Sequence, residues 1–356
     1  ASLSNLKKTV IFGDRLYTND ESTVEVFDIS DPARYAYVGK IQTDGPIAAF
    51  TVKGSIAYIV YDDIINSARK LGIYDVRKPT GSIRLGGLTL SITNTAHIDV
   101  EVNNQAVYVA NGSDPLGVIY VIDAANLANP TLSQTISMTG FPKDLETDGR
   151  ALYVTSNDGP IPGYLTIFGL QQPLRPSQES ETALTGTTSG TRFLLRGSTG
   201  YVLNTGSSHL SVLNVRNPAA PTLIQTVSLG AAPYSGYLLG ERLFLGFLDG
   251  TMKVYNVSSS TAPSLIGSIT VSAGQTIQGI AGSRNHVFVG FRASPYVKVY
   301  AVPGTAVDTF QGGQVGALSL SVDDDAQVGK TLNVAGAVAV GLGGVLSSGP
   351  VVGSSS

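Results

Sequence analysis

An all-β fold, a seven-bladed β-propeller joined to a C-terminal segment of different periodicity, follows from three observations: strand-like runs without helical period, a sevenfold repeat, and a change of period near residue 312. Runs rich in Val, Ile, Tyr and Thr alternate with Gly, Asn, Asp and Pro through most of the 356 residues, which is the pattern of short strands and turns. A turn followed by an aromatic within a strand recurs as RLYT, AYIV, VYVA, LYVT, GYVL, LFLG and VFVG. The aromatics are Tyr17, Tyr58, Tyr108, Tyr153, Tyr201, Phe244 and Phe288, spaced by 41, 50, 45, 48, 43 and 44 residues. Such spacings bracket one four-stranded blade.

Within each repeat the aromatic strand is followed by a second strand ending in Asp, Asn or a small residue: VEVFDISDP, LGIYDVRKP, IYVIDAANLANP, LTIFGLQQP, LSVLNVRNP, MKVYNVSSS and VKVYAVPG. Pro32, Pro79, Pro130, Pro176, Pro221 and Pro263 then stop it, because proline has no N–H to give to a ladder. An exposed strand such as AYVGKIQT or TLSQTISM comes next, and an inner strand such as IAAFTVKG or HIDVEVNN opens the following blade. A lone blade leaves its sheet faces uncovered, so neighbours must stack and close into a ring. The propeller is expected to span residues 1–311, and the tail 312–356.

FDISDP and IDAANLANP, together with the aromatic-Val strands, resemble the LVIVD-repeat family of β-propellers over nearly nine-tenths of the chain. Blade four departs from that pattern with Gly169 and blade seven with Ala301. The absence of Trp separates the chain from WD40 propellers. The resemblance implies a fold and a frequent surface-exposed setting, without fixing an activity.

After Gly312 the period drops to six. Val322, Val328, Val334, Val340, Leu346 and Val352 share one register, and Leu332 and Val338 share another two residues earlier. That period with glycine corners suits strands wound about an axis. Fewer than 45 residues bury too little on their own, so association with copies of the same chain is expected. VGKTLNVAGAVAVG resembles the repeats of trimeric phage fibre stalks, in which three chains intertwine as a triple β-helix. This resemblance implies a homotrimer carrying three propellers; a Gly/Ser/Val linker is the alternative.

Composition excludes several functions. Charged residues make up 14% of the chain, against about 25% in ordinary globular proteins. A net charge of -3 gives no basic footprint for nucleic acid. The chain has no Cys, hence no disulfide, thiolate site or cysteine nucleophile. No apolar run reaches the roughly 18 residues of a membrane span. His97, His209 and His286 fall in three different blades without metal-ligand spacing, and Ser67–Lys70 matches S-x-x-K without its companion motifs. An enzyme using the axis would have to rely on the few inner-strand acids Asp99, Glu101, Asp144 and Glu146. Neither catalysis, cofactor nor metal is expected.

The hairpin loops of blades two, three and four, YDDIINSARK, NGSDPLG and SNDGPIPG, are longer than those of blades five and six. They share one face of a propeller, where insertions gather on a common rim. Asp62, Asp63, Asn66, Arg69, Asn111, Asp114, Asn157 and Asp158 would offer that rim hydrogen-bonding groups for a glycan or a polar protein surface. Propeller and tail together lead to the expectation of a virion structural protein: a trimeric fibre or spike whose heads attach to a host surface or dock to other virion proteins. The alternative is a secreted or periplasmic LVIVD-type propeller that binds protein or glycan as a monomer.

Overall fold

The computed structural model describes residues 8–302, apart from 64, 67, 91–96, 113–116, 159–160, 185–189, 260 and 292–296. Blade one comprises β1 (Thr9–Phe12), β2 (Arg15–Asn19), β3 (Thr23–Asp28) and β4 (Ala36–Gln42). Blade two follows with β5 (Ile47–Lys53), β6 (Ile56–Asp63), β7 (Ala68–Asp75) and β8 (Ile83–Leu90). Blade three holds β9 (His97–Asn103), β10 (Ala106–Gly112), β11 (Val118–Asp123) and β12 (Thr131–Ser137). Blade four is β13 (Phe141–Thr147), β14 (Ala151–Asp158), β15 (Ile161–Gly169) and β16 (Ser177–Ala183). Blade five runs through β17 (Gly190–Arg196), β18 (Thr199–Asn204), β19 (His209–Asn214) and β20 (Thr222–Ser228). Blade six has β21 (Pro233–Leu239), β22 (Arg242–Phe247), β23 (Thr251–Asn256) and β24 (Ser264–Thr270). In blade seven the described strands are β25 (Ile277–Ser283), β26 (His286–Phe291) and β27 (Val297–Ala301). Each sheet is antiparallel, with strands paired in chain order, so the seven-bladed propeller read from the repeat is the fold.

The Asp or Asn that ends the third strand has a local cause. Asp28, Asp75, Asp123, Asn214 and Asn256 each accept, through the side chain, the backbone N–H two residues on, at 2.9–3.0 Å. This Asx turn bends the chain out of the ladder. Gly169 and Ala301 have no side-chain acceptor, which is why blades four and seven break the signature. Pro130, Pro176, Pro221 and Pro263 each sit one residue before the outer strand, where a missing N–H costs no ladder bond.

The core is a ring of seams between blades. All seven repeat aromatics are at most 5% exposed, and each belongs to a different apolar cluster. Tyr153, for example, stacks on Phe193 of the next blade with ring centroids 5.0 Å apart, and such pairs add about 0.5–1.5 kcal/mol beyond their buried area. The last cluster closes the ring: Phe288 and Val297 of blade seven pack with Leu16 and Ile29 of blade one. Tyr35 reinforces that seam by donating its hydroxyl to Val297 O at 3.0 Å, and Arg284 pairs with Asp14 at 2.9 Å.

Candidate functional site

Inner strands line the axis, and register fixes which residues share a level. The repeat aromatic lies opposite Val10, Thr51, Glu101, Glu146, Leu194, Tyr237 and Ala281 in the seven blades. Side chains recur every second residue along a strand. The next level therefore holds Lys8, Ala49, Asp99, Asp144, Arg192, Ser235 and Gly279, each nine residues before its aromatic. Two acids thus stand side by side in blades three and four at both levels, flanked by Lys8 and Arg192.

Asp99 anchors this cluster. Its side chain is 8% exposed, and it pairs with Lys8 Nζ at 2.8 Å, while its other oxygen accepts Leu145 N–H at 3.0 Å. Asp144 repeats the second contact one blade on, accepting Phe193 N–H at 2.8 Å. Each acid therefore clips the backbone of the next inner strand. Ser235 ties blade six to blade seven in a related way, donating to Ile277 O at 2.8 Å.

These surroundings shift protonation. Burial pushes Glu101 up to about 7 against the attraction of Lys8. Burial, then repulsion by Asp99, pushes Asp144 up to about 7 despite the pull of Arg192. Glu146 is raised well above its ordinary value by burial, then by Glu101 and Asp144. For Lys8, burial acts downward, but Asp99, Asp144 and Glu101 together raise it. Lys8 therefore stays positively charged, while Glu101, Asp144 and Glu146 hold their protons to higher pH than ordinary carboxyls. Among the described residues no group of three or more His, Asp or Glu could hold a metal ion.

The long hairpins lie on the face where β9 and β13 begin: Gly112 is opposite His97, and Asn157 is opposite Phe141. In blades two and four the extra residues lengthen paired strands rather than form open loops. Asp62 pairs with Arg69 across β6–β7, and Asp158 with Ile161 across β14–β15. Several rim candidates are consumed within the hairpins. Asp63, 2% exposed, accepts from Ile65 N, Asn66 N and Asn66 Nδ2 and forms an ion pair with Lys70. Lys70, then Asn66, hold its carboxyl well below the ordinary value. Arg69, 4% exposed, pairs with Asp62 at 2.6 Å. Asn111, also 4% exposed, hydrogen-bonds Tyr120.

Asp62 and Asn157 are half-buried and Asn66 is exposed, so these three stay accessible, although Asp62 is held by Arg69 and the Asn66 amide by Asp63. Asp114 and the side chain of Asp158 lie outside the described residues. So do the oligomerisation candidates Val322, Val328, Leu332, Val334, Val338, Val340, Leu346 and Val352. A further concavity of about 370 Å³ at the seam of blades one and two is lined by Lys40, Asp44, Tyr74 and Arg84. Its Asp44 and Arg84 approach within 3.6 Å, so its charges largely neutralise one another. Sequence reading found the four axial acids but missed Lys8 and Arg192. The signal was available in their fixed nine-residue offset from Tyr17 and Tyr201.

No protein-family model and no curated protein matches the chain. Solved structures do match in shape. The β-propeller domain of Cps50 (Swd1) from Myceliophteria thermophila is 10% identical with a TM-score of 0.66, over 84% of this chain and 96% of that one. Hydrazine synthase of Kuenenia stuttgartiensis is 12% identical with a TM-score of 0.67, over 86% and 97%. A functionally unknown protein from Desulfotomaculum acetoxidans is 14% identical with a TM-score of 0.65, over 85% and 94%. At such identities the likeness is one of fold, and the fold they share with this chain is the β-propeller.

Proposed function

We propose that the chain is a non-catalytic binding propeller, a virion structural protein in which the tail trimerises three heads as a fibre or spike. The observation that carries the binding part is the pair of extended hairpins in blades two and four on one face, at which Asp62, Asn66 and Asn157 remain partly or fully accessible. A host glycan or protein, or another virion protein, would meet that face. The six-residue register from Val322 to Val352 supports trimerisation. Three linked heads turn weak single contacts into firm attachment by raising effective concentration.

The Asx-turn ends of the third strands favour a second reading, a secreted or periplasmic LVIVD-type propeller that binds as a monomer. Light scattering on a sizing column separates the two. Three times 37.0 kDa, about 111 kDa, falling to monomer when the chain is cut after Gln311, is the expected result. Two monomeric species would sink the trimeric fibre and leave the single-headed binder.

A further inference from the structure

The axial cluster brings the buried Asp99 and the half-buried Glu101, Asp144 and Glu146 of two adjacent blades into one space with few counter-charges. Blades three and four supply Asp99, Glu101, Asp144 and Glu146. Facing them are Lys8 at the entry to β1, Lys53 at the end of β5 and Arg192 on β17. At the same two levels blades six and seven present Ser235, Tyr237, Gly279 and Ala281, which bring no charge. With every acid ionised, four negative charges would share this space with Lys8, Arg192 and the exposed Lys53. The arrangement is also structural: Asp99 and Asp144 hold Leu145 and Phe193 of the following inner strands, and Lys8 reaches from blade one to blade three.

We propose that this cluster is a proton-dependent lock on the ring: the propeller is held most firmly when Glu101, Asp144 and Glu146 are protonated, and it loosens when they ionise. The sign follows from linkage. Glu101 and Asp144 release their protons near pH 7 in the folded chain, whereas an unfolded chain releases them near 4. Between those values the folded state binds more protons, so stability falls as pH rises. Acidification from mildly alkaline to mildly acidic conditions therefore strengthens the ring, opposite to the trend set by salt-bridged carboxylates. A head exposed to changing pH would be tight in acid and more open in alkali.

Urea unfolding of the intact chain, followed by circular dichroism between pH 5.5 and 8.5, tests the lock. The unfolding constant is expected to be at least about tenfold larger at pH 8.5 than at pH 5.5, the effect of one carboxyl displaced by more than one unit. Glu101→Gln combined with Glu146→Gln keeps the shape and removes two ionisations. It should stabilise the chain at pH 8.5 and flatten the profile, whereas Glu241→Gln, at an exposed site, should leave the profile unchanged. A wild-type constant that is flat or falls with rising pH overturns the proposal, as does a double variant whose slope matches wild type. Should the double variant not fold, unfolding wild-type protein at pH 6.5 in weak buffer gives an independent answer. Release of protons supports the lock, and uptake or no exchange refutes it.

Discussion

A single methyl group at Gly279 probes whether blade seven packs against blade one. A Cβ built there would lie 2.3 Å from Thr9 Oγ1, 3.0 Å from Thr9 Cβ and 3.3 Å from Thr9 N. Rotating the threonine side chain relieves the first contact, but the other two belong to the backbone path of β1. The strands must then separate by a few tenths of an ångström, and overpacking of this kind costs about 1–3 kcal/mol. In a domain of this size about 2 °C of Tm accompanies each kcal/mol, so Gly279→Ala should lower Tm by roughly 2–6 °C. Gly267→Ala is the control: nothing lies within 4 Å of its Cβ, and its effect should stay within about 0.5 kcal/mol. Thermal unfolding of both variants at one pH, followed by circular dichroism, gives the comparison. Equal stability of the two would refute the close approach of β1 and β25, and with it the packed closure of the ring.

Other outcomes follow from single contacts. Asp99→Ala removes the partner of the half-buried Lys8 and the acceptor of Leu145 N–H, and leaving such groups unpaired costs about 1–3 kcal/mol. Asp99→Asn keeps an oxygen for Leu145 and should cost visibly less in the same urea titration. Phe193→Ala deletes a ring that is 1% exposed and stacked on Tyr153, at about 3–5 kcal/mol, read as a lower urea midpoint with unchanged slope. The pH profile of unfolding and the mass of the chain truncated after Gln311 complete the set.

Much of the architecture was legible because propeller blades are written locally. Tyr58 or Tyr201 marks a buried strand, Asp75 or Asn214 marks its partner's end, and Pro130 or Pro221 marks the start of the outer strand, all within one repeat. The site was less legible because it depends on distant register. Asp99 and Lys8 are 91 residues apart, and only the closed ring brings them together. Of the rim candidates, Asp63, Arg69 and Asn111 are buried: polar residues in a long hairpin look like rim groups in sequence, yet β6–β7 and β10–β11 pair as strands through these positions. Asp62 stays accessible because strand alternation puts it on the opposite side of β6 from the buried Asp63, and Asn66 and Asn157 likewise keep accessible surface.

Six of the seven seams are crossed by the polypeptide as it passes from one blade to the next. The seam between blades seven and one is crossed by no peptide bond within residues 8–302, and its strength rests on the packing around Phe288, the Tyr35 hydroxyl and Arg284. Tension applied at residue 302 enters through blade seven, beside this non-covalent joint. The ring is therefore mechanically polarised: a pull along the chain is borne first where side chains alone hold the circle shut, so rupture would begin there and proceed blade by blade from that gap.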